Sequence, residues 1–208
     1  MSRHCKIVVL PEDSCHADLA RGYFQGRNVN ERAYDLRRKW TGRNGNYAAV
    51  LRWLCEEAVL QKHPTSPRYG IVALIDEDGQ GLEARRTAVR TALTARGLPL
   101  IDPNQGRCLI VPMRNVETWM VWAARWQAAG SPGSPTGPIS YDPVCEQDDY
   151  KRLRNRADDP LPKEPKMEAY KVGKIIAKLN PTSSPAGTPP ALQDILKPLS
   201  DFLRWCEI

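Results

Sequence analysis

The feature that most constrains this chain is a short apolar run that stops on acids, and it occurs twice. Lys6-Ile7-Val8-Val9-Leu10 leads through Pro11, expected to end the run, to Glu12-Asp13. Gly70-Ile71-Val72-Ala73-Leu74-Ile75 ends in Asp76-Glu77-Asp78-Gly79. Continuous β-branched and aliphatic runs without polar alternation describe strands buried on both faces. A third run, Arg107-Cys108-Leu109-Ile110-Val111-Pro112, has the same character. Helical spacing fills the intervals. It joins Cys15, Leu19, Tyr23 and Phe24 within 15–25, then Tyr47, Val50, Leu51, Leu54 and Ala58 up to Leu60. Further stripes are Ala88, Val89, Ala92 and Leu93 within 82–96, closed by Gly97, and Val116, Trp119, Met120 and Ala123 within 115–127. Strands alternating with helices predict a parallel sheet covered on both faces, an α/β fold. Residues 27–39 are ambiguous, although Val29, Ala33, Tyr34 and Leu36 suit a short strand.

Beyond this pattern the composition changes. Residues 130–138 are all Gly, Ser, Pro or Thr, a flexible loop or linker. Two helical patterns follow, 166–179 and 191–205, separated by the Pro-rich 181–190. The expected division is an α/β domain over 1–129 and, over 130–208, a loop plus a C-terminal helical appendage packed on it. A chain of 208 residues suits one such domain with a modest addition.

No run approaches the roughly 18–20 apolar residues of a membrane span, and the N-terminus lacks the pattern of a secretory signal. Those readings predict a cytoplasmic protein without a membrane partner. The six cysteines include no CxxC pair, and Cys55, Cys108 and Cys206 read as buried free thiols. His4-Cys5 and Cys15-His16 offer four zinc ligands on paper, but a strand over 6–10 would hold the two pairs at its opposite ends.

The acids carry the chemistry. Alternate side chains of an extended segment share a side, so Asp76 and Asp78 can aim at one point after their strand. Such a pair suits Mg²⁺, which takes a few carboxylates with waters and phosphate oxygens. Glu12, from the other acidic strand end, can ligate a second ion or move a proton during phosphodiester cleavage. Asp13 is a further candidate ligand. The plainer alternative for Asp76–Gly79 is a solvated turn entering a helix.

These motifs resemble a known family. The order strand–Glu–helix, then strand–Asp-x-Asp–helix, is similar to the Toprim (topoisomerase–primase) domain. More narrowly it resembles small Toprim-like proteins of prokaryotic defence and mobile-element loci, related to the OLD-family (overcoming lysogenization defect) nucleases. Val8–Asp13 and Ile71–Asp78 stand at the two acidic strand ends of that group, and Gly45-Asn46-Tyr47 at its Gly before the second helix. Val111–Trp119 resembles its Arg-Glu-x-Glu-x-Trp segment, with weaker matches at Glu164-Pro165-Lys166 and Pro189–Leu192. The chain departs from the pattern at Pro11, before the first acid, and at Asn115, which replaces the first downstream Glu.

The resemblance implies a Mg²⁺- or Mn²⁺-dependent nuclease acting on DNA or RNA, with Glu12, Asp76 and Asp78 catalytic. Asp13 and Glu117 would be additional ligands, although a Glu in the first turn of a helix needs no further role. It also implies a separate ATPase subunit and an antiviral role. Phosphate contacts are expected from Arg86 and Arg90, which share a helix face, from Arg43, and from Lys166. Most such basic runs are simply solvated faces, and Pro165-Lys166 also describes an ordinary helix start. The formal charge of +6 adds only non-specific attraction to nucleic acid. Trp119 belongs to a core stripe, while Trp122 and Trp126, four apart, read as an exposed partner surface. A homo-oligomer is compatible with all of this. His16 and His63 show no partner pattern, and no ATP-binding loop, dinucleotide fingerprint or hydrolase elbow is present. The rival readings are a catalytically inactive Toprim-like binding or regulatory subunit, and a small-molecule phosphate-processing α/β enzyme.

Overall fold

Three expected strands and one short additional strand form a four-stranded sheet in the order β2-β1-β3-β4, and every pairing is parallel. The computed structural model describes residues 5–37, 47–63, 69–77, 80–112, 116, 119, 120, 122, 123, 168–179, 188 and 190–207. The strands are β1 (Lys6–Pro11), β2 (Tyr34–Leu36), β3 (Tyr69–Leu74) and β4 (Arg107–Ile110). The helices are α1 (Ser14–Gly26), α2 (Tyr47–Lys62), α3 (Leu82–Thr94), α4 (Ala169–Ile176) and α5 (Pro190–Trp205). The architecture is the expected α/β one.

Pleating divides the central strands between two cores. Ile7 and Val9 of β1, with Val72 and Leu74 of β3, pack against α1, α4 and α5. Their neighbours Val8, Leu10, Ile71 and Ala73 face the opposite way, towards α2 and α3. Ile7, Val9, Leu10, Ile71 and Leu74 are sealed from solvent. Each contributes about 1.5–3 kcal/mol relative to exposure, so the middle of the sheet is where the strand signal was least ambiguous.

Several details differ from the expectations. Pro11 ends the strand as expected, but from within it: it is the last strand residue, opposite Leu74, and the N–H of Glu12 makes one further bond to the carbonyl of Leu74 at 3.0 Å. A terminal position tolerates the missing donor. Ala88 is exposed, and only Val89 and Leu93 of α3 are buried. Trp122 is 5 % exposed and belongs to the core with Val116, Trp119, Met120 and Ala123, so it is not a partner surface. It lies three residues from Trp119 and therefore flanks the same stripe. Trp126 lies outside the described residues. Gly97, at φ +61°, lets the chain leave α3 while the N–H of Leu98 returns to the carbonyl of Leu93.

The C-terminal helices share the core of the first half of the chain. The crossing of α1 and α4 is made by Gly22 and Gly173, where a Cβ on either residue would collide with the other helix's backbone. Cys55, Cys108 and Cys206 are buried thiols outside any disulfide, as expected, and burial pushes the Cys108 thiol up to about 12. Among the described residues no helix is long and apolar enough to cross a membrane.

Candidate metal centre

Because β1 and β3 are adjacent, parallel and in register at Pro11 and Leu74, both acidic segments leave the sheet at the same edge. That is the edge where ligands gather in parallel α/β sheets. Glu12 turns its carboxylate towards the neighbouring strand end and accepts the backbone N–H of Asp76 at 2.9 Å. Asp76 in turn accepts the N–H of Val116 through Oδ1 at 3.1 Å. The two acids are 6 % and 4 % exposed. The next acid in each segment serves its own loop. Asp13 caps α1 by accepting the N–H of His16 at 2.9 Å, and Glu77 accepts the N–H of Gly81, the residue that opens α3.

His16 is the residue that sequence reasoning left without a role. As the third residue of α1, it lies under the capping carboxylate and is wholly buried. Its Nδ1 is 2.8 Å from Asp13 Oδ1, and its Nε2 is 3.2 Å from Asp76 Oδ1. The first contact is a hydrogen bond, whereas Nε2 makes none of acceptable alignment. Among the protein's own groups, burial opposes a charge on this ring, but the two flanking carboxylates outweigh it and raise the imidazole from its usual range to about 10. The signal available in the sequence was Asp13-x-x-His16, an N-cap acid with a titratable group three residues on. Its meaning depended on Asp76, which is distant in sequence.

Asp13, His16 and Asp76 each place a ligand atom within 4.8 Å of the others, so this cluster could hold a metal ion. Of the residues expected at the site, Asp13 and Asp76 share this cluster, while Glu12 meets Asp76 through the backbone N–H of that residue. Asp78, Glu117, Arg43 and Lys166 lie outside the described residues. Arg86 is directed away into ion pairs with Glu83 at 2.8 Å and Asp194 at 3.9 Å, and Arg90 is exposed on the same helix. The arginine at the centre is instead Arg85. Its Nε donates to the carbonyl of Asp76 at 3.0 Å, and its guanidinium lies 4.1 Å from the ring centroid of Tyr47. Comparison with protein-family models, curated proteins and solved structures finds no match to this chain. The assignment therefore depends on the side chains themselves.

Proposed function

We propose that the chain is a metal-dependent phosphodiesterase of Toprim-like type, working on DNA or RNA in the cytoplasm with Mg²⁺ or Mn²⁺. The observation that carries this reading is the compact set of possible ligands formed by Asp13, His16 and Asp76, with the Glu12 carboxylate bound to the Asp76 N–H across the adjacent strand ends. The residues suit a divalent ion because His16 Nε2 is buried without an aligned hydrogen bond and faces a carboxylate. Asp76 and His16 would hold it, with Asp13 bonded to the other side of the imidazole, and Asp78 and Glu117 remain candidate ligands on the sequence pattern. A divalent ion bound there supplies charge stabilisation to a scissile phosphate and makes water more acidic.

Glu12 is the group for proton movement, since its carboxylate is held at the edge by the Asp76 N–H. Arg85 fixes the loop through the Asp76 carbonyl and brings a permanent positive charge beside the acids, suited to a phosphate oxygen. Arg86, Arg90, Arg43 and Lys166 would contribute to a wider phosphate-binding surface. A separate ATPase subunit and an antiviral role belong to the same proposal and come from the family resemblance.

A second reading, a Toprim-like subunit that binds without cutting, is favoured by the burial of Glu12 and Asp76 and by their hold on backbone N–H groups. One experiment separates the two. Purified protein is incubated with single- and double-stranded DNA and RNA in Mg²⁺ or Mn²⁺, alongside folded Glu12→Gln and Asp76→Asn variants. Cleavage that falls about a hundredfold to ten-thousandfold in Glu12→Gln, and below detection in Asp76→Asn, supports the nuclease. Cleavage that survives both substitutions refutes it. Binding of nucleic acid without cleavage supports the second reading.

A further inference from the structure

Resting on the metal-dependent reading above, we propose that the resident ion is bound by His16 Nε2 together with a carboxylate oxygen of Asp76, with Asp13 orienting the imidazole. This nitrogen–oxygen site selects a first-row transition ion, Zn²⁺ above Mn²⁺, over Mg²⁺.

The argument begins with the ring's orientation. Asp13 is fixed as the cap of α1 by the backbone N–H of His16 and also faces Nδ1 of the same residue. When a divalent ion takes the place of a proton on Nε2, the Nδ1 proton stays directed to that carboxylate and the freed Nε2 lone pair faces the ion beside Asp76. Metal-bound histidines usually give their other ring N–H to a carboxylate in this way, which fixes the tautomer and makes the ligating nitrogen more basic. The second observation is Nε2 itself, sealed from water, 3.2 Å from Asp76 Oδ1 and without an aligned hydrogen bond. Two donor atoms each about 2.0–2.2 Å from one ion stand roughly 3 Å apart along an edge of its coordination shell. The N–H of Val116 on Asp76 Oδ1 holds the carboxylate in that aim.

Selectivity follows from the donor types. Imidazole suits Zn²⁺ and its neighbours, and affinity at such sites rises from Mn²⁺ towards Cu²⁺. Mg²⁺ favours oxygen donors and usually retains several waters, so a ligand set that includes an imidazole nitrogen suits it less.

The test uses the full chain labelled with ¹⁵N at histidine, which gives three imidazoles to follow. On addition of Zn²⁺, one imidazole is expected to move at Nε2 to the metal-bound range while keeping its Nδ1 proton, and His16→Gln assigns it. Calorimetry is expected to give tighter binding in the order Zn²⁺, Mn²⁺, Mg²⁺. Asp13→Asn should lower Zn²⁺ affinity about tenfold to a hundredfold and His16→Gln at least as much, with little change for Mg²⁺. Shifts confined to His4 and His63, or Zn²⁺ and Mg²⁺ binding equally and indifferent to His16→Gln, would overturn the inference while leaving an all-carboxylate metal site standing. Binding of no divalent ion would end both this inference and the metal-dependent function. Should His16→Gln fail to fold, the wild-type imidazole spectrum and the metal order still decide.

Discussion

The ends of β1 and β3 share a pattern of paired acids and differ in what the following helix adds to it. At each, the first acid reaches across to another loop and the second serves the helix that follows. Glu12 takes the N–H of Asp76, and Asp13 caps α1. Asp76 takes the N–H of Val116, and Glu77 binds the N–H of Gly81 at the start of α3. The difference lies at the third residue of the helix, which is His16 in α1 and Ala84 in α3. Among the described residues, one strand end therefore provides carboxylates alone, while the other also provides a nitrogen ligand aimed at its neighbour. What makes the edge a candidate centre is this asymmetry more than the number of acids.

The comparison breaks most sharply at Asp76. Asp76→Ala removes one partner of a buried charged group and is expected to cost about 3–5 kcal/mol, read from denaturant unfolding. Glu77→Ala, which frees only the N–H of Gly81 ahead of α3, should cost only about 0.5–1.5 kcal/mol. Equal losses would mean that the cross-strand acids are not special. Glu12 sharpens the point with a smaller effect. Glu12→Ala strands the buried N–H of Asp76 and should cost about 1–3 kcal/mol, whereas Glu12→Gln keeps an acceptor and should lose less. The smallest difference is expected at Asp13. Asp13→Asn preserves capping and an acceptor for His16 Nδ1, so its stability should fall by less than that of Asp13→Ala, which loses at least the roughly 1 kcal/mol of the cap. Its effect should appear in metal affinity instead.

The strands were legible because β1 and β3 are buried on both faces and carry little but aliphatic side chains. β2 was harder to read, since a three-residue strand has too few positions for periodicity and forms by pairing Tyr34–Leu36 with Ile7–Val9. At the site, Glu12 and Asp76 could be found because acids ending apolar runs stand out locally. His16 could not, because a histidine in the first turn of a helix becomes a candidate ligand only when a second strand delivers a carboxylate to it. Arg85 was passed over for Arg86 and Arg90 for a related reason. Helix-face spacing identifies neighbours along α3, but the partner that matters to Arg85 is a backbone carbonyl before that helix.

The crossing at Gly22 and Gly173 ties α1, the helix that presents Asp13 and His16, to a segment near the other end of the chain. A fragment ending before residue 168 would retain Glu12, Asp13, His16 and Asp76 yet forfeit the buttress that sets the pitch of their helix. The chemistry of the front half is thus mortgaged to the back half, and dissecting the protein at its apparent boundary should blunt the centre without touching a single ligand.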